Sequence, residues 1–348
     1  MALAPAESPP AVRFAAFDLD GTLLDARGRL RPQLADRLAH LAASGLAPLV
    51  VSGRAVRSFR ELALARLPSS VLEDEVVLGD GAVVLRRSTG RVTALRWLPA
   101  GVVRTLLDAG ARDLVAEVGG ELVASSRRAA LLYTRMYALG RSVVTVDAQP
   151  AHAPGAVTAV TVFDVPGDLA RLLAVRYDTD RIGPFAALLV RARGTCKASG
   201  LAAHLAGRAG RPGLDAVMAF GDAFNDACLL ASCRLGVAVQ GADEVCARCA
   251  HVRLDEPLAD FLCGFGPDSA ARLSQAAAGP PVSRRRGGPP CSGAHRRPAP
   301  KSTHPPVSGP TPRTSLRANA PRSQACSTGR DRQVFEGKEL ESARENSA

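Results

Sequence analysis

The sequence predicts an α/β fold: a parallel sheet wound with helices, an inserted α+β unit, and a C-terminal tail that has no core. Three observations predict it. Short apolar runs alternate with helical patterns at both ends of the first 266 residues, which is the rhythm of βα units. Between residues 86 and 186 that rhythm breaks into short Val/Leu/Thr runs interleaved with helices. Beyond residue 267 the composition turns abruptly to Pro, Arg, Ser and Gly.

Residues 12–17 read as a buried strand that delivers Asp18 and Asp20 to its C-terminal end, followed at once by Gly21-Thr22. Two carboxylates so close together need a cation, and that edge of an open α/β sheet is where ligands bind. Gly21 and Gly28 supply turns, Pro32 opens a helix with Leu34, Leu38 and Leu41 on one face, and Gly45 ends it. Residues 46–51 form a second buried strand that stops at Ser52-Gly53-Arg54. A hydroxyl and a glycine ahead of the helical pattern over 55–67 suit a phosphate, because the first helical N–H groups point toward it. Simple N-capping by Ser52 is the alternative. Arg54 reads either as a substrate or gating residue or as a helix-start arginine. Residues 76–78 and 82–85, around Gly79-Asp80-Gly81, read as a short strand and a turn.

Within 86–186 the expected strands include 122–124, 143–146 and 157–163, and the helices 100–109 and 168–175. No acid or histidine cluster with ligand spacing occurs there, so the expected role of this unit is to cover a site made elsewhere. The βα rhythm returns at 188–190 and leads through Arg193-Gly194-Thr195-Cys196 to Lys197, at the start of a helix expected to reach 209. A lysine in a first helical turn opposes the helix dipole, which makes it a candidate for holding an anion, against the plainer reading of an exposed side chain. The strand over 215–220 ends in Gly221-Asp222-Ala223-Phe224-Asn225-Asp226, followed by helix 227–233, strand 235–239, helix 243–249 and strand 251–254. In a sheet wound through right-handed crossovers these strand ends lie on one edge, so their polar groups converge.

The net charge of +11 over 348 residues is uneven. Residues 268–348 carry 14 Lys+Arg against 6 Asp+Glu and 11 of the 25 prolines, which leaves only +3 for the first 267. Such a tail buries too little apolar surface to offset its ordering entropy, so 267–348 is expected to be disordered. Its Arg284-Arg285-Arg286 run allows weak non-specific nucleic-acid contact, and no specific nucleic-acid partner is expected. Eight scattered cysteines, an N-terminus without a basic and apolar leader, and no long apolar span point to a cytoplasmic protein with no membrane partner. Cys246 and Cys249 form a CxxC without a second pair, and His40, His204 and His251 lack a serine or cysteine partner at motif spacing, so these read as ordinary core or surface residues.

Asp18-Leu19-Asp20-Gly21-Thr22, Ser52-Gly53-Arg54, Lys197 and Gly221 to Asp226 occur in the order of the four motifs of the haloacid dehalogenase (HAD) superfamily, which the chain resembles over about residues 12–263. Within it the chain is most similar to Cof-type phosphatases with a C2 cap. Leu78-Gly79-Asp80-Gly81-Ala82 departs from the family at Asp80, where asparagine is usual, and Gln240-Gly241-Ala242 departs where Gly-Asn-Ala is common. The resemblance implies a Rossmann-like core over 12–85 and 187–266 with a cap over 86–186. It also implies a Mg²⁺-dependent phosphatase acting on a small phosphate monoester through an aspartyl-phosphate. Asp18 would be nucleophile and metal ligand, and Asp20 acid and base with its backbone carbonyl on the metal. Neighbouring carboxylates would raise the pKa of Asp20, as a general acid requires. Asp222 and Asp226 would complete the metal site, and Ser52, Gly53, Lys197 and Asn225, with Arg54 beside them, would hold the phosphate or substrate. A sugar phosphomutase and a non-catalytic binding or regulatory protein are the alternatives, and the oligomeric state is open.

Overall fold

The structure, a computed structural model, describes residues 12–147, 155–263, 265 and 296–297. In chain order its elements begin with β1 (Phe14–Phe17), α1 (Leu34–Ala43), β2 (Ala47–Val50), α2 (Val56–Leu62), β3 (Glu75–Leu78), β4 (Val83–Arg86) and β5 (Val92–Ala94). The next group is α3 (Val102–Asp108), β6 (Leu114–Val118), β7 (Glu121–Ala124), α4 (Arg127–Met136), β8 (Val144–Val146), β9 (Val157–Phe163), α5 (Gly167–Arg176), β10 (Asp178–Ile182) and β11 (Ala187–Arg191). The last is α6 (Lys197–Ala206), β12 (Val217–Gly221), α7 (Ala227–Ser232), β13 (Leu235–Ala238), α8 (Glu244–Cys249), β14 (Val252–Arg253), α9 (Leu258–Cys263) and β15 (Arg296–Arg297).

Five strands pair in parallel in the order β14-β13-β12-β1-β2. Every residue of β1, β12 and β13 is buried, as parallel strands covered on both faces require. Alternate side chains enter two cores. Phe17, Val50 and Phe220 pack with Leu34, Leu38 and Leu41 of α1, while Ala16, Leu49 and Ala219 pack with Leu201 of α6 and Leu229 of α7. The Phe17 and Phe220 rings stack 4.6 Å apart, immediately before the acidic ends of their strands. At the β2 edge, Val51 bridges Val77 in parallel and the Ser52 N–H donates to the Val77 carbonyl at 2.8 Å. From there β3-β4-β5 continues as an antiparallel sheet.

A mixed sheet in the order β15-β10-β11-β9-β6-β7-β8 forms the inserted α+β unit. One face carries Val115, Leu122, Phe163 and Leu189 against Ala129 and Tyr133 of α4. The other carries Leu114, Val160 and Val190 against Leu106 of α3 and Leu173 of α5.

Several expectations need correction. The boundary at 187 assigned Ala187–Arg191 to the returning core, yet β11 pairs antiparallel with β9 and β10. Its five residues are all buried, so nothing local announces which sheet receives them; we propose that the inserted unit extends through Arg191. The sequence reading placed no strand at β10, because Asp178-Thr-Asp-Arg-Ile is polar; pairing with β11 makes it one and buries Asp178 and Asp180. The pattern over 55–67 yields a shorter α2 and a separate 3-10 turn at Leu64–Arg66. The helix from Lys197 stops at Ala206, with Gly207 as its C-cap, because glycine gains little from continuing a helix. Apart from Arg296–Arg297, which pair with Arg181–Ile182, the tail expectation lies outside the described residues. No helix among the described residues is long and apolar enough to cross a membrane.

Candidate active site

Because β1 and β12 are neighbours in parallel register, the chain leaving their C-terminal ends brings Asp18 close to Asp222. The Asp18 N–H donates to the Phe220 carbonyl at 2.9 Å and extends the ladder by one step. One carboxylate oxygen each from Asp18, Asp222 and Asp226 lies within 4.8 Å of the others. Gly21 permits this approach: its φ is +89°, and a Cβ there would stand 2.2 Å from Asp222 Oδ2. The Thr22 hydroxyl donates to Asp222 Oδ1 at 3.3 Å. Asp226 Oδ2 accepts the N–H groups of Asp222 and Ala223, both at 3.1 Å, and so fixes the loop that presents Asp222.

Lys197, the first residue of α6, is almost wholly buried. Its Nζ donates to Asp18 Oδ1 and Asp226 Oδ1, each at 2.5 Å. Burial opposes its charge, but Asp18 and Asp226 outweigh burial and raise its pKa. Asp18 is held well above the usual carboxylate range by burial and then by Asp226, with Lys197 countering. Burial, followed by Asp226, pushes Asp222 up to about 6. Three carboxylates against one ammonium leave a buried negative excess. Hard oxygen donors in that state fit a divalent cation such as Mg²⁺.

Ser52 and Gly53 close the end of β2. The Ser52 hydroxyl accepts the Arg54 N–H at 3.2 Å, and the N-cap of α2 falls on Ala55, so Ser52 does not cap the helix. A Cβ on Gly53 would meet Asp80 Oδ1 at 2.7 Å and Asn225 Nδ2 at 3.1 Å. Those two groups are themselves bonded, Asn225 Nδ2 donating to Asp80 Oδ1 at 2.9 Å. Arg54 lies immediately before the α2 N-cap and reaches Asp20. Its Nε and Nη2 donate to the two oxygens of Asp20 at 2.6 and 2.5 Å, a bidentate clasp on an exposed residue. Asp20 is thus engaged by a guanidinium.

Sequence reasoning missed a second group beside the first. Arg191, at the end of β11, is buried and donates to both Asp80 and Asp180. Burial opposes its charge, and Asp80 and Asp180 outweigh that and raise its pKa. Asp80 was visible only as a departure from a family pattern; nothing marked Arg191, an arginine closing an apolar run. A cavity between the parallel core and the inserted sheet is lined by Gly53, Asp80, Arg191, Glu117, Tyr133 and Tyr137, among others. The Tyr133 hydroxyl donates to Glu117 Oε1 at 3.4 Å. Elsewhere, His251 Nδ1 accepts the Gly236 N–H at 2.9 Å, His204 is buried with its pKa lowered by burial, and Cys246 is a buried core thiol whose pKa burial raises.

The model of a family described as haloacid dehalogenase-like hydrolase matches residues 15–114 and 184–256, with its gap inside the inserted unit. Among solved structures, a phosphatase of the same superfamily from Bacteroides thetaiotaomicron is 22% identical, covers 76% of this chain and 98% of its own, and superposes with a TM-score of 0.60. A subclass IIB sugar phosphatase is 19% identical over 73% of this chain and 99% of its own, with a TM-score of 0.59. A protein from Thermotoga maritima is 18% identical, covers 73% and 97%, and has a TM-score of 0.60. No curated protein matches the sequence.

Proposed function

The chain belongs to the haloacid dehalogenase-like hydrolases, and we propose that within them it is a Mg²⁺-dependent phosphatase for a small phosphate monoester, acting through an aspartyl-phosphate. The observation that carries this reading is the convergence of Asp18, Asp222, Asp226 and Lys197 at one sheet edge. A cation held by Asp18, the Asp20 carbonyl and Asp222, with Asp226 in support, would neutralise charge on the transferring phosphoryl group.

Asp18 attacks phosphorus through a carboxylate oxygen as the bond to the leaving oxygen breaks, and Asp20 gives that oxygen a proton. Asp20 then takes a proton from the water that attacks the acyl phosphate, which releases orthophosphate and restores Asp18. Arg54 holds both Asp20 oxygens and so orients the carboxyl, whose remaining lone pairs carry the proton. Ser52, the Gly53 N–H, Lys197 and the second hydrogen of the Asn225 amide face the phosphoryl oxygens. Glu117, Tyr133 and Tyr137 line the adjoining cavity, and the substrate class we assign is a sugar phosphate or a nucleotide-like metabolite in the cytoplasm. A structural neighbour is itself a sugar phosphatase.

Purified protein with Mg²⁺ should release p-nitrophenol from p-nitrophenyl phosphate, and EDTA should stop it. Asp18→Asn should lower kcat by at least about a thousandfold, the scale on which loss of a covalent nucleophile acts. Activity that survives this substitution would sink the assignment.

A further inference from the structure

Asp80 sits at a joint. Its backbone is left-handed, with φ 52°, between β3 and β4, and its carboxylate is buried. One oxygen accepts from Asn225 Nδ2 and the other from the Arg191 guanidinium, whose remaining prong goes to Asp180 on the neighbouring strand β10. Gly53 packs against the same pair, and any side chain there would displace one member. We infer that Asp80 and Arg191 are positioning residues: Arg191, carried by the inserted sheet, fixes Asp80, and Asp80 fixes the Asn225 amide that receives the phosphoryl group.

The chemistry explains why an acid stands at position 80. Two donors converge on this side chain from opposite sides, and a carboxylate alone offers each an acceptor. A carboxamide offers one acceptor and one donor. In Asp80→Asn the buried, charged guanidinium takes the carbonyl, because an unpaired buried cation is the costlier outcome. Asn225 is then left facing an NH₂ group and loses its anchor. An acid at 80 and an arginine at 191 therefore make sense only together, as one device that ties the inserted sheet to the phosphate-binding amide.

The inference rests on the phosphatase reading, and the experiment separates the two. Full-length wild type, Asp80→Asn, Asn225→Ala and the double variant are assayed with p-nitrophenyl phosphate and Mg²⁺, with orthophosphate as a competitive inhibitor. Both single variants should lose about 10- to 100-fold in kcat/KM, the usual cost of removing a group that orients a ligand-binding side chain. Orthophosphate inhibition should weaken by a similar factor. The double variant should be no worse than Asn225→Ala alone, since Asp80 acts through that amide. Losses that multiply, or wild-type orthophosphate inhibition in Asp80→Asn, would overturn the inference while leaving the phosphatase standing. Wild type without activity would overturn both. If Asp80→Asn does not fold, Arg191→Lys carries the same expectation, because a single ammonium lacks the fork that reaches two carboxylates.

Discussion

At the proposed metal site, Asp222 would couple proton to metal. Its metal-free carboxyl titrates near 6, against an ordinary value of 3.8. Between those values the folded state holds a proton that the unfolded chain releases. Stability without metal therefore falls as pH rises through that window and levels off above it. Metal binding runs the other way, since a cation must displace the proton. Calorimetric titration with Mg²⁺ or Mn²⁺ should show affinity dropping by about tenfold per pH unit below pH 6 and changing little above. The raised pKa of Asp18 adds a second proton that the metal must displace. Equal affinity at pH 5 and pH 8 would remove Asp222 from the metal site. These two acids were legible in the sequence because Asp18 directly follows an apolar run and Asp222 follows Gly221 at the end of another. The clasp of Arg54 on Asp20 was not, since it joins groups 34 residues apart through a turn that no local pattern specifies.

The first turn of α6 delivers Lys197, and its position depends on a backbone-to-backbone approach. A Cβ on Gly200 would stand 2.2 Å from the Gly81 Cα, and a Cβ on Gly81 2.3 Å from the Cys196 carbonyl. Helix propensity alone would favour Gly200→Ala by about 1 kcal/mol. Overpacking against rigid backbone costs about 1–3 kcal/mol or more, so overlap should win. Gly200→Ala should lower the urea midpoint and reduce kcat by moving Lys197; a stabilised, fully active variant would refute the close approach. Element by element, the parallel core was readable because its strands are short, apolar and bounded by Gly or polar residues. The inserted sheet was less so. The strand at Asp178–Ile182 is polar and exists through pairing with β11, and β11 is too uniformly apolar to announce its partner. Arg191 stayed hidden for the same reason: what it touches was decided by topology.

At the scale of the molecule, the parallel core and the inserted unit meet at the candidate site through residues that are far apart along the chain. The two salt bridges of Lys197 span 179 and 29 residues, Arg191 reaches Asp80 across 111, and Asn225 reaches Asp80 across 145. Each long contact closes a large loop whose entropy must be met before the contact can contribute. Helices and local hairpins such as β6–β7 face no such delay. On dilution from denaturant, helical circular dichroism should therefore recover first and phosphatase activity afterwards, with a resolvable lag. Simultaneous recovery would show that the long loops close in the same step as the local structure. A nascent chain faces the same ordering in time: Asp18 emerges early, and its buried partner Lys197 follows 179 residues later. Asp222 and Asp226 follow later still, so the acids and their ammonium come together only when nearly all of the parallel core has been made.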